Sequence, residues 1–155
     1  MDLNWHEGCE VWPRKVRNVM TQCSILYVTP HRVGTQVDAL TSLGFHVDKD
    51  QDLPATGALS AYHAVIVHAH AGRNLPMVAA RLRAKPHFGR RALLALVPDE
   101  MADRDRREAI HSGFDDTLPD TCGVRDLAAA ILRLLRPFPE FRCILRAPGG
   151  RRKAA

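Results

Sequence analysis

The sequence predicts a three-layer α/β sandwich, a five-stranded parallel sheet with helices on both faces. Short apolar runs alternate five times with amphipathic stretches of helical period, and each crossover between parallel strands lays a helix on a face of the sheet. The strongest runs, Ala64-Val65-Ile66-Val67 and Ala92-Leu93-Leu94-Ala95-Leu96-Val97, lack the polar alternation of a half-exposed strand, which implies burial on both sides. With 155 residues, 46% apolar and 25% charged, the chain holds enough material for one compact domain with a real core.

Residues 1–22 carry no clear period, hold Trp5, Trp12 and Pro13, and read as an N-terminal extension with a short helix around Arg14 to Met20. The first strand is Ile25-Leu26-Tyr27-Val28, ended by Pro30. Val33, Val37, Leu40 and Leu43 then mark a helix, and Gly44 stands where a C-terminal cap belongs. Phe45-His46-Val47 is the second strand, followed by a weak helix from Leu53 to Ser60.

The third strand is Ala64 to Val67, and Leu75 to Ala84 forms a helix that stops before Pro86. The fourth strand, Ala92 to Val97, ends at Pro98. A charged helix from Met101 to Ser112 follows, closed by Gly113. Thr117-Leu118 is a short fifth strand. The last helix, Val124 to Leu135, turns Val124, Leu127, Ala128, Ile131 and Leu135 inward. The domain is expected over 23–136, and residues 137–155 read as a tail.

Charge and cysteine usage narrow the class. The net charge is +5, with much of the excess at the ends: Arg14, Lys15 and Arg17, then Arg151, Arg152 and Lys153. Elsewhere the signs interleave, as in Arg104-Asp105-Arg106-Arg107-Glu108, which suits a solvated helix face and argues against direct nucleic-acid binding. Cys9, Cys23, Cys122 and Cys143 form no CxxC pair, so neither a zinc spacing nor a dense disulfide framework is expected. No signal peptide and no run of about 20 apolar residues is present, so the expectation is a cytoplasmic protein with no membrane role.

Over about Ser24 to Leu135 these phrases resemble the receiver domain of bacterial two-component response regulators. The best match is Ala109-Ile110-His111-Ser112-Gly113-Phe114-Asp115-Asp116-Thr117-Leu118, which is similar to the family's passage from the fourth helix into the fifth strand. Leu43-Gly44-Phe45 resembles its turn out of the first helix. The resemblance implies a flavodoxin-like, receiver-like fold with its site at the carboxyl ends of the strands.

At that site the chain departs from the family. Thr29 and Pro30 stand where the resemblance implies an acidic Mg²⁺-binding pair, and His68 stands at the phospho-accepting aspartate. Val97 replaces the hydroxyl residue after the fourth strand, Asp120 the lysine after the fifth, and Thr117 the aromatic switch residue. Phosphoryl transfer rests on positioning and charge neutralisation, so the resemblance implies a pseudo-receiver without that chemistry, no enzyme and no cofactor. Phosphorylated histidines of other signalling modules sit on exposed helices, which makes His68 a poor substitute acceptor.

Three other readings compete. His31, His68 and His70 lie at strand ends and would suit a transition metal, a small ligand or pH sensing; the plainer alternative is that they fill an abandoned acidic pocket. Thr29-Pro30-His31-Arg32-Val33-Gly34 resembles the Asp-x-His-x-x-Gly loop of cobalamin-binding domains, but Thr29 replaces its aspartate. Asp115-Asp116 could pair as catalytic carboxylates, whereas a turn and helix-capping role fits their place.

Without chemistry, a receiver fold still offers surfaces. By resemblance, the face of the fourth helix, fifth strand and fifth helix binds partners and forms homodimers. Here it would include Arg104, Arg107, Glu108, Arg125, Asp126 and Arg133. The expectation is a signalling module that works by protein–protein interaction, as a homodimer, with residues outside the domain too few for a DNA-binding unit.

Overall fold

The computed structural model describes residues 14–29, 35–52, 58–69, 74–86, 88, 91–138 and 141. Trp5, Trp12, Pro30, His31, His70 and the basic residues Arg151, Arg152 and Lys153 lie outside them.

Five strands form one parallel sheet: β1 (Ser24–Val28), β2 (His46–Asp50), β3 (Ala64–His68), β4 (Ala92–Val97) and β5 (Asp116–Pro119). Their order is β2-β1-β3-β4-β5, the doubly wound arrangement of flavodoxin-like folds. The helices are α1 (Arg14–Gln22), α2 (Thr35–Ser42), α3 (Leu75–Arg83), α4 (Asp103–Ser112) and α5 (Val124–Leu135). The predicted fold class is the observed one.

Strand alternation divides the core into two layers. Ile25, Tyr27, Ala64, Ile66, Ala92, Leu94 and Leu96 face α1, α2 and α5, where Val16, Val19, Leu40, Leu127, Ile131 and Leu135 cover them. Leu26, Val28, Val65, Val67, Leu93, Ala95 and Val97 face the opposite way, under Leu75, Ala79 and Leu82 of α3 and Ala109 of α4. All six residues of β4 are buried, as an interior strand covered on both sides requires.

The structure departs from the sequence reading at the margins of the sheet. β2 runs on to Asp50, because its paired register with β1 continues through Lys49 and Asp50. Of the expected helix from Leu53 to Ser60, the described residues hold a 3₁₀ turn over Ala58–Ala61, and residues 53–57 lie outside the described set. His46, Asp48 and Asp50 alternate onto that thinly covered side and remain exposed, so polar residues there incur no desolvation cost. Asp48 instead accepts a 2.7 Å hydrogen bond from the Tyr62 hydroxyl.

Segments on both sides of the predicted domain add to the core. α1 buries Val16, Val19 and Met20 and leaves Arg14, Lys15 and Arg17 exposed. Phe141, placed in the tail by sequence, is 1% exposed. With Phe138 it meets the His63 ring edge-on, at centroid distances of 5.1 and 5.8 Å. His63 Nδ1 in turn accepts the Ser24 N–H at 3.1 Å.

Asp115 lies in the turn before β5, Asp116 begins the strand, and each carboxylate is engaged by separate partners. Asp115 Oδ2 accepts the Leu93 N–H of β4 at 2.8 Å and an Arg83 N–H at 2.9 Å. Asp116 pairs with Arg133 of α5. The Arg83 guanidinium also donates to the carbonyls of Gly113 (2.9 Å) and Arg91 (2.8 Å) and lies over the Phe88 ring. The turn out of α4 needs Gly113 itself: its φ is +132°, and an added Cβ would stand 2.8 Å from Arg83 Cγ. Gly113→Ala is therefore expected to lower stability by about 1–3 kcal/mol, read as a drop in urea midpoint at unchanged m-value.

Candidate functional site

The strand order reverses between β1 and β3, and open α/β sheets hold their sites beyond the carboxyl ends of the strands at such a point. Thr29 follows β1 and His68 closes β3. Alternation sends His68 to the side of Ala64 and Ile66, toward α2 and α5. Its side chain is 15% exposed, and Nε2 stands 3.8 Å from Asp120 Oδ2 in the loop after β5. This is too long for a hydrogen bond but close enough for an ion pair when the imidazole is protonated.

The remaining sequence-predicted positions divide. Thr29 is 2% exposed, and its N–H donates to the Asp50 carbonyl at 2.9 Å, so it ties β1 to β2 and brings no anion. Val97 is fully buried in the layer under α3 and α4, on the other face from His68. Thr117 stands in register with Ala95, which points into that same layer. The structure thus brings His68 and Asp120 together and separates Val97 and Thr117 from them. Of the three candidate histidine ligands only His68 lies among the described residues, which contain no cluster of three metal-ligating side chains.

Sequence reasoning missed the groups that fill the pocket. The Tyr27 hydroxyl donates to Gln36 Oε1 at 2.7 Å, and Gln36 Nε2 donates to the carbonyls of Asp120 (3.1 Å) and Cys122 (3.3 Å). One amide from α2 therefore latches β1 to the β5–α5 loop. Tyr27 could have been inferred, since it sits two residues before Thr29 on the same strand face. Gln36 could not, because a glutamine in the first turn of a helix is ordinarily solvated.

The β4–α4 loop is held in a similar way. Arg106 donates to the carbonyls of Met101 (3.3 Å), Pro98 (3.3 Å) and Asp99 (3.2 Å), while the Thr121 hydroxyl donates to Asp99 Oδ2 at 3.0 Å. Both loops over the site are thus cross-linked by side chains.

No family model matches the chain, and no curated protein matches it by sequence. Solved structures do. An orphan response regulator of H. pylori superposes with a TM-score of 0.61 at 21% identity, covering 75% of this chain and 98% of its own. A response regulator from Desulfuromonas acetoxidans gives 0.62 at 19% identity, over 75% and 98%. The receiver domain of a sensor histidine kinase from Pseudomonas aeruginosa, with magnesium coordinated in its active-site cleft, gives 0.60 at 22% identity, over 73% and 97%. The fold is a receiver fold.

Within the receiver fold, the predicted interaction residues Arg104, Arg107, Glu108, Arg125, Asp126 and Arg133 are all exposed. They do not form one surface. Glu108 lines a cleft between α4 and α3 with Asp105, so it sits on the flank of α4 away from β5. The flank beyond Ala109, 100° further round the helix, carries Ile110, which is 43% exposed. Arg133 is engaged by Asp116 across β5 and α5.

Burial governs the ionisation of Cys23, at the amino end of β1, and of Tyr27 and Cys122 near the site. Desolvation pushes the Cys23 thiol from an ordinary 9.0 up to about 12. It does the same to the Tyr27 hydroxyl, from 10.0 to about 12, helped by the nearby Cys122 and Asp120. The Cys122 thiol is also raised, by burial and then by Asp126 and Asp120. All three stay protonated at neutral pH.

A folded-state pKa above the unfolded one means stability complete below the unfolded value and lost as pH rises toward the folded value. Thermal midpoints are therefore expected to fall steadily between about pH 9 and 12. Cys23 would contribute up to about 4 kcal/mol to that loss, and Tyr27 about 1–2 after allowance for solvent. Cys23→Ala and Tyr27→Phe should each flatten the alkaline limb in a pH series of melts.

Proposed function

We propose that this chain is a phosphorylation-independent receiver-like module of bacterial cytoplasmic signalling, which acts by binding protein partners and itself, with no catalytic step of its own. The observation that carries this reading is the pair of residue types at the site. An imidazole, His68, ends β3, and a carboxylate, Asp120, follows β5, 3.8 Å apart. Receivers are expected to carry an anion at the first place and a cation at the second. Here an incoming phosphoryl group would meet Asp120 where it needs neutralisation, and Thr29 offers no carboxylate to hold Mg²⁺.

The Tyr27–Gln36 latch supports the same reading, because it ties β1 to the β5–α5 loop through neutral hydrogen bonds. Partner binding would use the outer flank of α4, where exposed Ile110 stands one turn from Arg107. Signs alternate along α4, from Asp103 and Arg104 to Arg107 and Glu108, so this face lacks the continuous basic stripe of a nucleic-acid reader.

Incubation with Mg²⁺ and acetyl phosphate, followed by intact mass and a thermal melt, tests the first half. Neither quantity should change; a stable phosphoryl adduct would overturn the reading. Sedimentation velocity tests the second half. The chain should sediment as a dimer and Ile110→Arg as a monomer, whereas identical behaviour of the two proteins would remove this face from the proposal.

A further inference from the structure

The amino end of the sheet, opposite the His68–Asp120 site, is gathered by one residue. The His63 N–H donates to the Ser24 carbonyl at 2.9 Å, and the His63 carbonyl accepts the Ala92 N–H at 3.1 Å. Its ring closes the same junction, with Nδ1 accepting the Ser24 N–H at 3.1 Å. β1, β3 and β4 all start beside this residue.

Phe138 and Phe141 rest edge-on against that ring, at centroid distances of 5.8 and 5.1 Å. They extend α5: the Phe138 N–H donates to the Leu135 carbonyl and the Phe141 N–H to the Phe138 carbonyl, each at 3.0 Å. We propose that this aromatic strap is a proton-sensitive latch, held at neutral pH and released from the amino end of the sheet in mild acid when His63 is protonated.

A backbone N–H can only donate, so the Ser24 contact fixes the ring as the neutral tautomer with its proton on Nε2. A second proton has to enter at Nδ1, where an N–H would then confront the Ser24 N–H. The ring must turn away. Because it meets Ser24 and both phenylalanines at once, turning breaks the edge contacts as well. An aromatic face can hold a cation, but it restores no acceptor to Ser24. The strap contact is therefore complete above about pH 6.5, the ordinary histidine value, and lost as pH falls below it.

The surrounding elements carry further titratable and charged groups. Cys23, before β1, has a thiol that burial keeps protonated. On β2, exposed His46 pairs in register with Ser24. Before β4, Arg91 donates to the Tyr62 carbonyl, next to His63, and Arg136 follows α5. These cations oppose a further positive charge. The Tyr62 hydroxyl donates to the Asp48 carboxylate at 2.7 Å. Glu140 lies outside the described residues, and a variant separates its effect.

The test follows the full chain by NMR, with ¹³C-labelled phenylalanine rings and ¹⁵N amides, between about pH 7.5 and about pH 5. The Phe138 and Phe141 rings and the Ser24 amide should move on one curve. Phe114, buried on the other face of the sheet, should stay still. His63→Asn keeps an acceptor oxygen near the place of Nδ1 but takes no proton, so the strap and Ser24 signals should lose their pH dependence. Glu140→Gln should leave the transition in place. If His63→Asn does not fold, imidazole ¹⁵N signals of the parent chain decide, since His63 Nδ1 has to gain its proton on the curve along which the strap moves.

Three results would overturn the proposal. One is strap signals that stay fixed across the range. Another is a transition that survives in His63→Asn, runs apart from the His63 ring or vanishes in Glu140→Gln. The third is a strap that docks more tightly in acid, which would make the protonated ring the form that holds it.

Discussion

Every residue of β4 is buried, so each of its backbone donors and acceptors has to be satisfied inside the protein. β3 supplies one ladder along its whole length. β5 is shorter, with paired register only from Leu94 onward, and Asp115 completes the start of the strand. Its N–H donates to the Leu93 carbonyl and its carboxylate accepts the Leu93 N–H, both at 2.8 Å. Arg83 then fixes that carboxylate and the turn at Gly113 together. The lower ends of α3, α4, β4 and β5 are joined through this one guanidinium, and a buried parallel sheet could not otherwise begin there without orphaned polar groups.

The same burial forces polar chemistry to the strand ends. His68 and Asp120 meet above Leu96 because β3 and β5 flank β4 and each continues one step beyond its apolar part. The carbonyls of the β5–α5 loop need partners there. Gln36 does so with a single amide that gives two hydrogen bonds and receives one from Tyr27. A neutral network that closes on itself needs no ion to hold it.

Much of this was legible in the sequence, for identifiable reasons. β1, β3 and β4 are continuous apolar runs because they are buried on both faces. α5 shows its period because one side meets the sheet and the other meets water. β2 was cut short because Asp48, Lys49 and Asp50 pair through backbone alone, and hydropathy does not see backbone. Phe141 gives no signal of its burial in the sequence, because an isolated aromatic has no period to declare it. At the site, the departures from the receiver pattern were legible one by one, but not which of them touch. Val97 and Thr117 fall on the other face by strand parity. Glu108 falls on the other flank of α4, where helix angle and not sequence neighbourhood decides. Asp115 could not have been read, since its partner Arg83 is 32 residues away and belongs to a different helix.

α4 shows how a helix with little apolar content can be held firmly enough to present two surfaces. It buries only Ala109, far less area than the several residues that anchor α5, so hydrophobic burial cannot be what places it. Directional bonds do this instead. Arg106 grips three carbonyls of the loop that leads into the helix, and Gly113 closes its other end against Arg83. Neither anchor uses the flanks, which carry Asp105 and Glu108 toward α3 and the exposed Ile110 further round the helix. A helix placed by apolar burial would have had to spend at least one of those flanks on the core.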